Sequence, residues 1–272
     1  MDKNAPIGVF DSGVGGLTVA REIMRQIPNE RIVYFGDTAR VPYGSKSKDN
    51  IIKFSRQIIR FLQTENVKAI VIACNTASAL ALDEMQQEFD LPILGVVKPG
   101  AKVAVETTAN KRIGLIGTEA NIRSGVYTRY IKSLDDEAKV FEKACPLFVP
   151  LVEEGWLHDD ITLQVASRYL EELKEKDIDT LIMGCTHYPL IRSTIRKVMG
   201  DKVNLVNPAY ETAIELKNLL ERDNLANKCD VDSPSSMYRF YVSDAEEKFK
   251  LFANSILPFD ITMTKQINIE NY

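Results

Sequence analysis

Ala69-Ile70-Val71-Ile72-Ala73-Cys74-Asn75-Thr76-Ala77-Ser78 changes character in the middle. An apolar run of strand length stops at a cysteine, and two small hydrogen-bonding residues follow. Ala79-Leu80-Ala81-Leu82 then opens a helix-forming run. The pattern reads as a buried strand, a tight turn carrying a thiol, and a helix N-terminus. The arrangement recurs at Thr180-Leu181-Ile182-Met183-Gly184-Cys185-Thr186-His187.

Working outward, Ile7 to Phe10 reads as a short strand that ends at Asp11 and enters the turn Ser12-Gly13-Val14-Gly15-Gly16. A helix follows from Leu17 to about Gln26. Arg31 to Phe35 is a second strand, followed by the loop from Thr38 to Ser45. Asp49 to Gln63 is an amphipathic helix with Ile51, Phe54, Ile58, Ile59 and Leu62 on one face. Pro92 to Val97 is a fourth strand. Strands alternating with helices on short links make a parallel sheet covered on both faces.

The pattern then restarts. Gly100 to Thr107 reads as helix, Arg112 to Gly117 as strand, and Thr118 to about Leu134 as helix. Ala138 to Ala144 is a strand, Leu147 to Val152 an apolar stretch carrying Pro150, and Ile161 to Lys174 a helix. The Cys185 strand, a helix from Leu190 to Met199 and a strand from Val203 to Val206 complete this unit. A helix follows Asn207-Pro208, and Arg222 to Ser236 reads as a polar loop. Beyond it, Arg239 to Val242 and Ile261 to Thr264 read as strands, with a helix from Glu246 to Ala253 between them. The second unit is complete without this tail, so the tail is expected to pack on the first. The reading is thus an α/β fold of two parallel-sheet domains, residues 1–97 plus 208–272 and residues 98–207.

Composition narrows the function. The 272 residues suffice for about two domains, and 45% hydrophobic content supplies a core without staples. A net charge of −4 with scattered Lys and Arg argues against a sequence-independent grip on nucleic acid. No signal peptide is visible and no apolar run approaches the roughly 20 residues of a membrane span, so a cytoplasmic protein is expected. The 4 cysteines, Cys74, Cys145, Cys185 and Cys229, are widely spaced. That spacing argues against a disulfide framework and against a structural zinc site.

Ligands of parallel α/β sheets bind beyond the carboxyl ends of strands. Polar clusters fall at such ends at Asp11-Ser12, Asp37 to Tyr43, Cys74-Asn75-Thr76, Glu153-Glu154 and Cys185-Thr186-His187. Free cysteine is often a small buried hydrophobe. Two cysteines at equivalent turns favour chemistry, because a helix N-terminus depresses a thiol's pKa. Cys145 beside Pro146 and Cys229 in the polar loop have no such setting and read as structural. The turn after Asp11 fails the dinucleotide fingerprint, since the third glycine position is Thr18. It reads instead as a turn whose amides face a small anion, or as a helix cap by Ser12. His187 stands two positions from Cys185, where it could polarise or protonate a bound group. His158 reads as a surface residue.

Two thiols without an evident cofactor suggest moving a proton on and off one carbon from opposite faces. A thiolate removes a proton, and the other thiol delivers one to the opposite face. Sulfurs each about 3 to 3.5 Å from that carbon would lie roughly 6 to 7 Å apart, too far for a disulfide.

The turn from Phe10 to Leu17, the loop Val41-Pro42-Tyr43-Gly44, the block Ala73 to Ser78 and the block Gly184-Cys185-Thr186-His187-Tyr188-Pro189 together resemble bacterial glutamate racemases, of the aspartate/glutamate racemase superfamily. The resemblance covers essentially the whole chain. It implies two α/β domains related by pseudo-twofold symmetry with the active site in the cleft between them. It also implies conversion of L-glutamate to D-glutamate without a cofactor or metal, feeding peptidoglycan synthesis and so cell shape. On the matched positions Cys74 would be the base for D-glutamate and Cys185 the base for L-glutamate. Asp11 would assist Cys74; Glu153 and His187 would assist Cys185. The resemblance alone selects Glu153 over Glu154. Asp11, Ser12, Tyr43, Gly44, Asn75, Thr76, Thr186 and His187 would contact the substrate, and the family usually forms homodimers. Two rival readings remain: a racemase of aspartate or hydantoin, and a non-catalytic binder of small anions.

Overall fold

The computed structural model describes residues 2–227, 237–261 and 263–272. Cys229 lies outside them. A six-stranded sheet contains β1 (Ile7–Asp11), β2 (Ile32–Gly36), β3 (Ala69–Ile72), β4 (Ile93–Gly95), β9 (Tyr238–Val242) and β10 (Thr264–Gln266). Its order is β10-β9-β2-β1-β3-β4, with parallel pairing throughout. A four-stranded parallel sheet contains β5 (Arg112–Gly117), β6 (Lys139–Ala144), β7 (Thr180–Gly184) and β8 (Asn204–Val206), in the order β6-β5-β7-β8. These are two α/β domains. The run β2-β1-β3-β4 has the same order as β6-β5-β7-β8, so one topology occurs twice. In each, the chain moves one way from the first strand and then returns to its other side. The switch point falls between β1 and β3, and between β5 and β7, where open α/β sheets bind ligands.

Both sheets are covered on both faces at their centres, which is why β1, β2, β3 and β7 are apolar almost without alternation, while the edge strands β6 and β10 carry charged and polar residues. On the six-stranded sheet, Ile7, Val9, Ala69 and Val71 enter one core, while Phe10, Ile70, Ile72 and Cys74 enter the other. On the four-stranded sheet, Leu181, Met183 and Cys185 share one core, and Ile113, Leu115 and Ile182 the other. Each cysteine therefore continues the parity of its strand.

Among the described residues the chain contains the helices α1 (Leu17–Gln26), α2 (Lys48–Thr64), α3 (Asn75–Glu88), α4 (Val97–Thr107), α5 (Glu119–Ser124), α6 (Val126–Leu134), α7 (Phe148–Glu153), α8 (Asp160–Lys174), α9 (Arg192–Met199), α10 (Pro208–Arg222) and α11 (Glu246–Ile256). Several differ from the sequence expectation for local reasons. The fourth strand stops at Gly95, and α4 begins at Val97, because Pro99 is tolerated in a first helical turn. The single helix expected over 118–134 is broken at Gly125, whose φ of +59° only glycine adopts without strain. The Pro150 stretch is helical, again with proline near the start. Glu153 and Glu154 consequently close a helix and do not follow a strand. The last strand lies at Thr264–Gln266, later than Ile261 to Thr264.

Candidate active site

Parallel registry brings the strand ends together. Asp11 pairs with Gly36, and Phe10 with Ile72, so Asp11, Asp37 and Cys74 emerge from adjacent strands. Gly117 pairs with Gly184, so Thr118 and Cys185 emerge side by side from the other sheet. The two groups of strand ends face each other. Thr186 Oγ1 lies 3.5 Å from Asp11 Oδ1, and Thr18 Oγ1 donates to the Thr186 carbonyl at 3.0 Å. Thr76 Oγ1 is 2.9 Å from Thr118 Oγ1, and the Tyr127 hydroxyl donates to Asn75 Oδ1 at 2.7 Å. Four contacts thus bridge the sheets around both cysteines.

Cys74 occupies the N-cap position of α3, as its strand-to-helix setting predicts, without a side-chain capping hydrogen bond. Its Sγ lies 3.7 Å from Ser12 Oγ. The expected depression of its pKa is not found. Burial pushes the thiol up to about 12, and the neighbouring Asp11 carboxylate acts in the same direction. The amide of Ala77 and the Ser12 hydroxyl act against this and lose. Cys74 therefore carries its proton at neutral pH. Ser12 does not cap α1, which starts at Leu17 after Gly16 without a side-chain cap. The turn does hold an anion, but the anion is Asp11. Gly13 N–H donates to Asp11 Oδ2 at 3.0 Å, and Gly16 N–H also reaches the carboxylate. Burial still raises Asp11 above the usual carboxylate range, against the opposing charge of His187 and those amides.

Cys185 is set differently. It precedes a 3₁₀ turn, Tyr188–Ile191, and α9 begins only at Arg192. Pro189, at the start of the 3₁₀ turn, provides no backbone N–H. The helix N-terminus expected there is absent, and a side chain stands in its place. His187 Nδ1 lies 3.7 Å from Cys185 Sγ, and His187 Nε2 is 3.1 Å from Glu153 Oε1. Burial disfavours the imidazolium, but hydrogen bonds to Cys185 and Glu153 outweigh it and raise His187 to about 10. The same bond from His187 holds Glu153 below its ordinary value despite partial burial. Glu154 turns away, 4.0 Å from Lys248 Nζ on α11. One thiol is thus beside a carboxylate and a hydroxyl, the other beside an imidazolium.

Gly15 shows how tight the junction is. A Cβ there would stand 2.4 Å from Thr186 Oγ1 and 2.5 Å from the His187 ring. Tyr43 is buried with its hydroxyl donated to Asp37, so the amides of the Tyr43–Ser45 turn, not that hydroxyl, remain for a ligand. Cys145 is buried, 3.7 Å from the Lys143 carbonyl, as a structural residue. His158 lies on the surface near Ser193. Thr18, Thr118 and Tyr127, which complete the bridges, carry no mark in the sequence as site residues. Among the described residues no group of three or more His, Cys, Asp and Glu is placed to hold a metal ion.

The Asp/Glu/Hydantoin racemase family model matches residues 7–214. The chain belongs to this family. A curated glutamate racemase from Geobacter metallireducens is 44% identical over 264 residues, 97% of each chain. Among solved structures, glutamate racemase isoform RacE1 from Bacillus anthracis superposes with a TM-score of 0.92 at 39% identity, covering 97% of this chain and 98% of that one. Glutamate racemase from Francisella tularensis in complex with D-glutamate gives a TM-score of 0.92 at 38% identity over 99% of this chain and 100% of that one. As a member of this racemase family the chain is an isomerase.

Proposed function

We propose that this enzyme interconverts L- and D-glutamate by two-thiol acid–base catalysis and supplies D-glutamate for peptidoglycan. One observation carries the reading: two cysteines that follow equivalent strands, β3 and β7, have unlike neighbours, Cys74 beside Ser12 and the Asp11 carboxylate and Cys185 beside His187. Cys185, backed by the Glu153–His187 pair, removes the α-proton of L-glutamate. Cys74, which holds its proton, delivers one to the opposite face. In return, Cys74 acts as base with Asp11 as its partner. The sulfurs need no disulfide or cofactor for this exchange, and all atoms balance with one proton in and one out. The carbanion has no electron sink, so charge must be met by preorganised donors. Ser12, Asn75, Thr76, Thr186, His187 and the amides of Tyr43 and Gly44 are the types suited to two carboxylates and an ammonium.

The same reading divides the chain into residues 1–97 plus 208–272 and residues 98–207, because β9 and β10 extend the sheet of β1. It places the enzyme in the cytoplasm as a homodimer. The absence of any helix long and apolar enough to cross a membrane, among the described residues, is compatible with that location. Exposed Leu147, Trp156 and Ile161 offer apolar area to a second copy.

The deciding experiment is incubation with L-glutamate in D₂O, following optical activity and α-deuterium together. Loss of optical activity with deuterium at the α-carbon is expected, with aspartate unchanged. Turnover of aspartate alone would assign the other substrate, and turnover of neither would favour an anion-binding protein.

A further inference from the structure

We propose that Arg40 is a positioning residue for substrate, acting through Asp37 on the Tyr43–Gly44 turn. The assignment rests on the racemase reading, in which that turn holds a substrate carboxylate.

Asp37 is wholly buried and needs compensation on every lone pair it presents. Arg40 Nε donates to its Oδ2 at 2.7 Å, the Tyr43 hydroxyl donates to the same oxygen, and Ser243 Oγ donates to Oδ1 at 2.8 Å. Burial and the Asp37 charge hold the Tyr43 phenol well above its usual range, so it stays a donor. The guanidinium is itself clamped. Its Nη1 donates to Gln57 Oε1 at 2.6 Å and to Glu270 Oε1 at 3.2 Å. Its carbon sits 4.1 Å from the centroid of the Phe54 ring, and that ring packs on Tyr43 at 5.6 Å. Glu270 belongs to the C-terminal turn Ile269–Asn271, and Ile269 is buried in the same core as Tyr43.

The far end of this chain of contacts borders the cleft. A Cβ on Gly44 would lie 2.9 Å from Thr118 Cβ, and Thr118 is the residue bonded to Thr76. A shift of the Tyr43–Gly44 turn therefore moves the wall opposite Thr118. Arg40 touches no reacting atom. Its planar fork sets the orientation of Asp37, and Asp37 sets the turn. A lysine keeps the charge but carries all its donors on one nitrogen, and so cannot reproduce the separate Nε and Nη1 bonds to Asp37 and Gln57.

The test uses the full-length enzyme with Arg40→Lys, Tyr43→Phe, their double variant and Glu270→Gln. KM and kcat for both glutamate enantiomers and the thermal midpoint are measured for each. Arg40→Lys is expected to raise KM about tenfold for both enantiomers while kcat changes less than about threefold. The double variant should be little worse than the larger single one, because both break one path. Glu270→Gln, at the exposed rim, should raise KM about twofold with the midpoint unchanged, since it loosens one nitrogen only. Wild-type KM in Arg40→Lys, whatever its midpoint, would make the cluster purely structural. Multiplying effects of Arg40→Lys and Tyr43→Phe would overturn the shared path. If Arg40→Lys does not fold, an unchanged KM in Glu270→Gln overturns the proposal. A wild type that does not turn over glutamate overturns the racemase reading itself, and this assignment with it.

Discussion

Asp11 and Thr186 are 175 positions apart in the chain, yet Thr186 Oγ1 lies 3.5 Å from Asp11 Oδ1. The contact joins the end of the first strand to the residue after Cys185. It therefore brings the carboxylate beside one thiol within reach of the turn that carries the other. Thr18 adds a second bond at the same place, to the Thr186 carbonyl. The two halves meet through polar contacts clustered at the strand ends, where small movements change the distance between sulfurs.

Replacing either sulfur should stop racemisation. Cys74→Ser and Cys185→Ser are each expected to lower kcat by about 10³-fold or more, because serine is a far weaker acid and base at neutral pH. Circular dichroism of glutamate over time measures the loss. Unfolding midpoints close to the wild type would assign it to chemistry. An active Cys74→Ser enzyme would exclude the two-thiol mechanism.

Gly15→Ala tests the junction. The added methyl must displace Thr186 or His187, which it would approach to 2.4 and 2.5 Å. Overpacking of this kind costs about 1 to 3 kcal/mol of stability. A displacement of about 1 Å at a site can cost roughly 10² in rate. The variant should thus remain folded in urea titrations while kcat/KM falls by about that factor.

The Glu153–His187 pair predicts a direction of pH dependence. His187 rises from an ordinary 6.5 to about 10 in the folded protein. Below pH about 6.5 the imidazole is protonated in both states and the pair contributes fully. As pH rises towards 10 the unfolded chain has lost that proton and the folded protein still holds it, so stability is lost. The midpoint difference between wild type and His187→Asn should shrink between pH 6.5 and 10. A difference that stays constant or grows would contradict a charged His187.

Far from the cleft, Lys68 and Glu30 form a buried pair at 2.5 Å, and Lys68 Nζ also donates to the carbonyls of Lys3 and Leu225 at 2.6 and 2.9 Å. Lys68→Met leaves Glu30 buried without its cation. A loss of about 3 to 5 kcal/mol is expected in urea unfolding. KM and kcat of the folded fraction should not change, because no site residue contacts this pair.

Much of the architecture was legible in the chain itself. Continuous apolar runs of strand length such as Ala69 to Ile72 and Leu181 to Met183, bounded by turn residues, read as strands covered on both faces, and their alternation with amphipathic helices points to parallel sheets. The thiol turns were legible too, because an apolar run that stops at Cys-Asn-Thr or Cys-Thr-His marks a strand's carboxyl end. Local pattern could not decide the protonation of those thiols. A helix N-terminus argues for a lowered pKa at Cys74, yet burial beside Asp11 raises it to about 12. Nor could it show that Cys185 faces His187, itself held by Glu153, in place of a helix end. Desolvation and charge–charge terms depend on what lies within a few ångströms, and those neighbours come from positions such as 11, 74, 153 and 187. Thr18, Tyr127 and Thr118 went unmarked as site residues, and Arg40 was not singled out within the Asp37 to Tyr43 cluster, for the same reason: a hydroxyl or a guanidinium acquires a role only when folding supplies its partner. Sequence by itself determined the two sheets and the two thiol turns; the tertiary structure decided that the surroundings of Cys74 and Cys185 are unequal, because electrostatics is set through space and not along the chain.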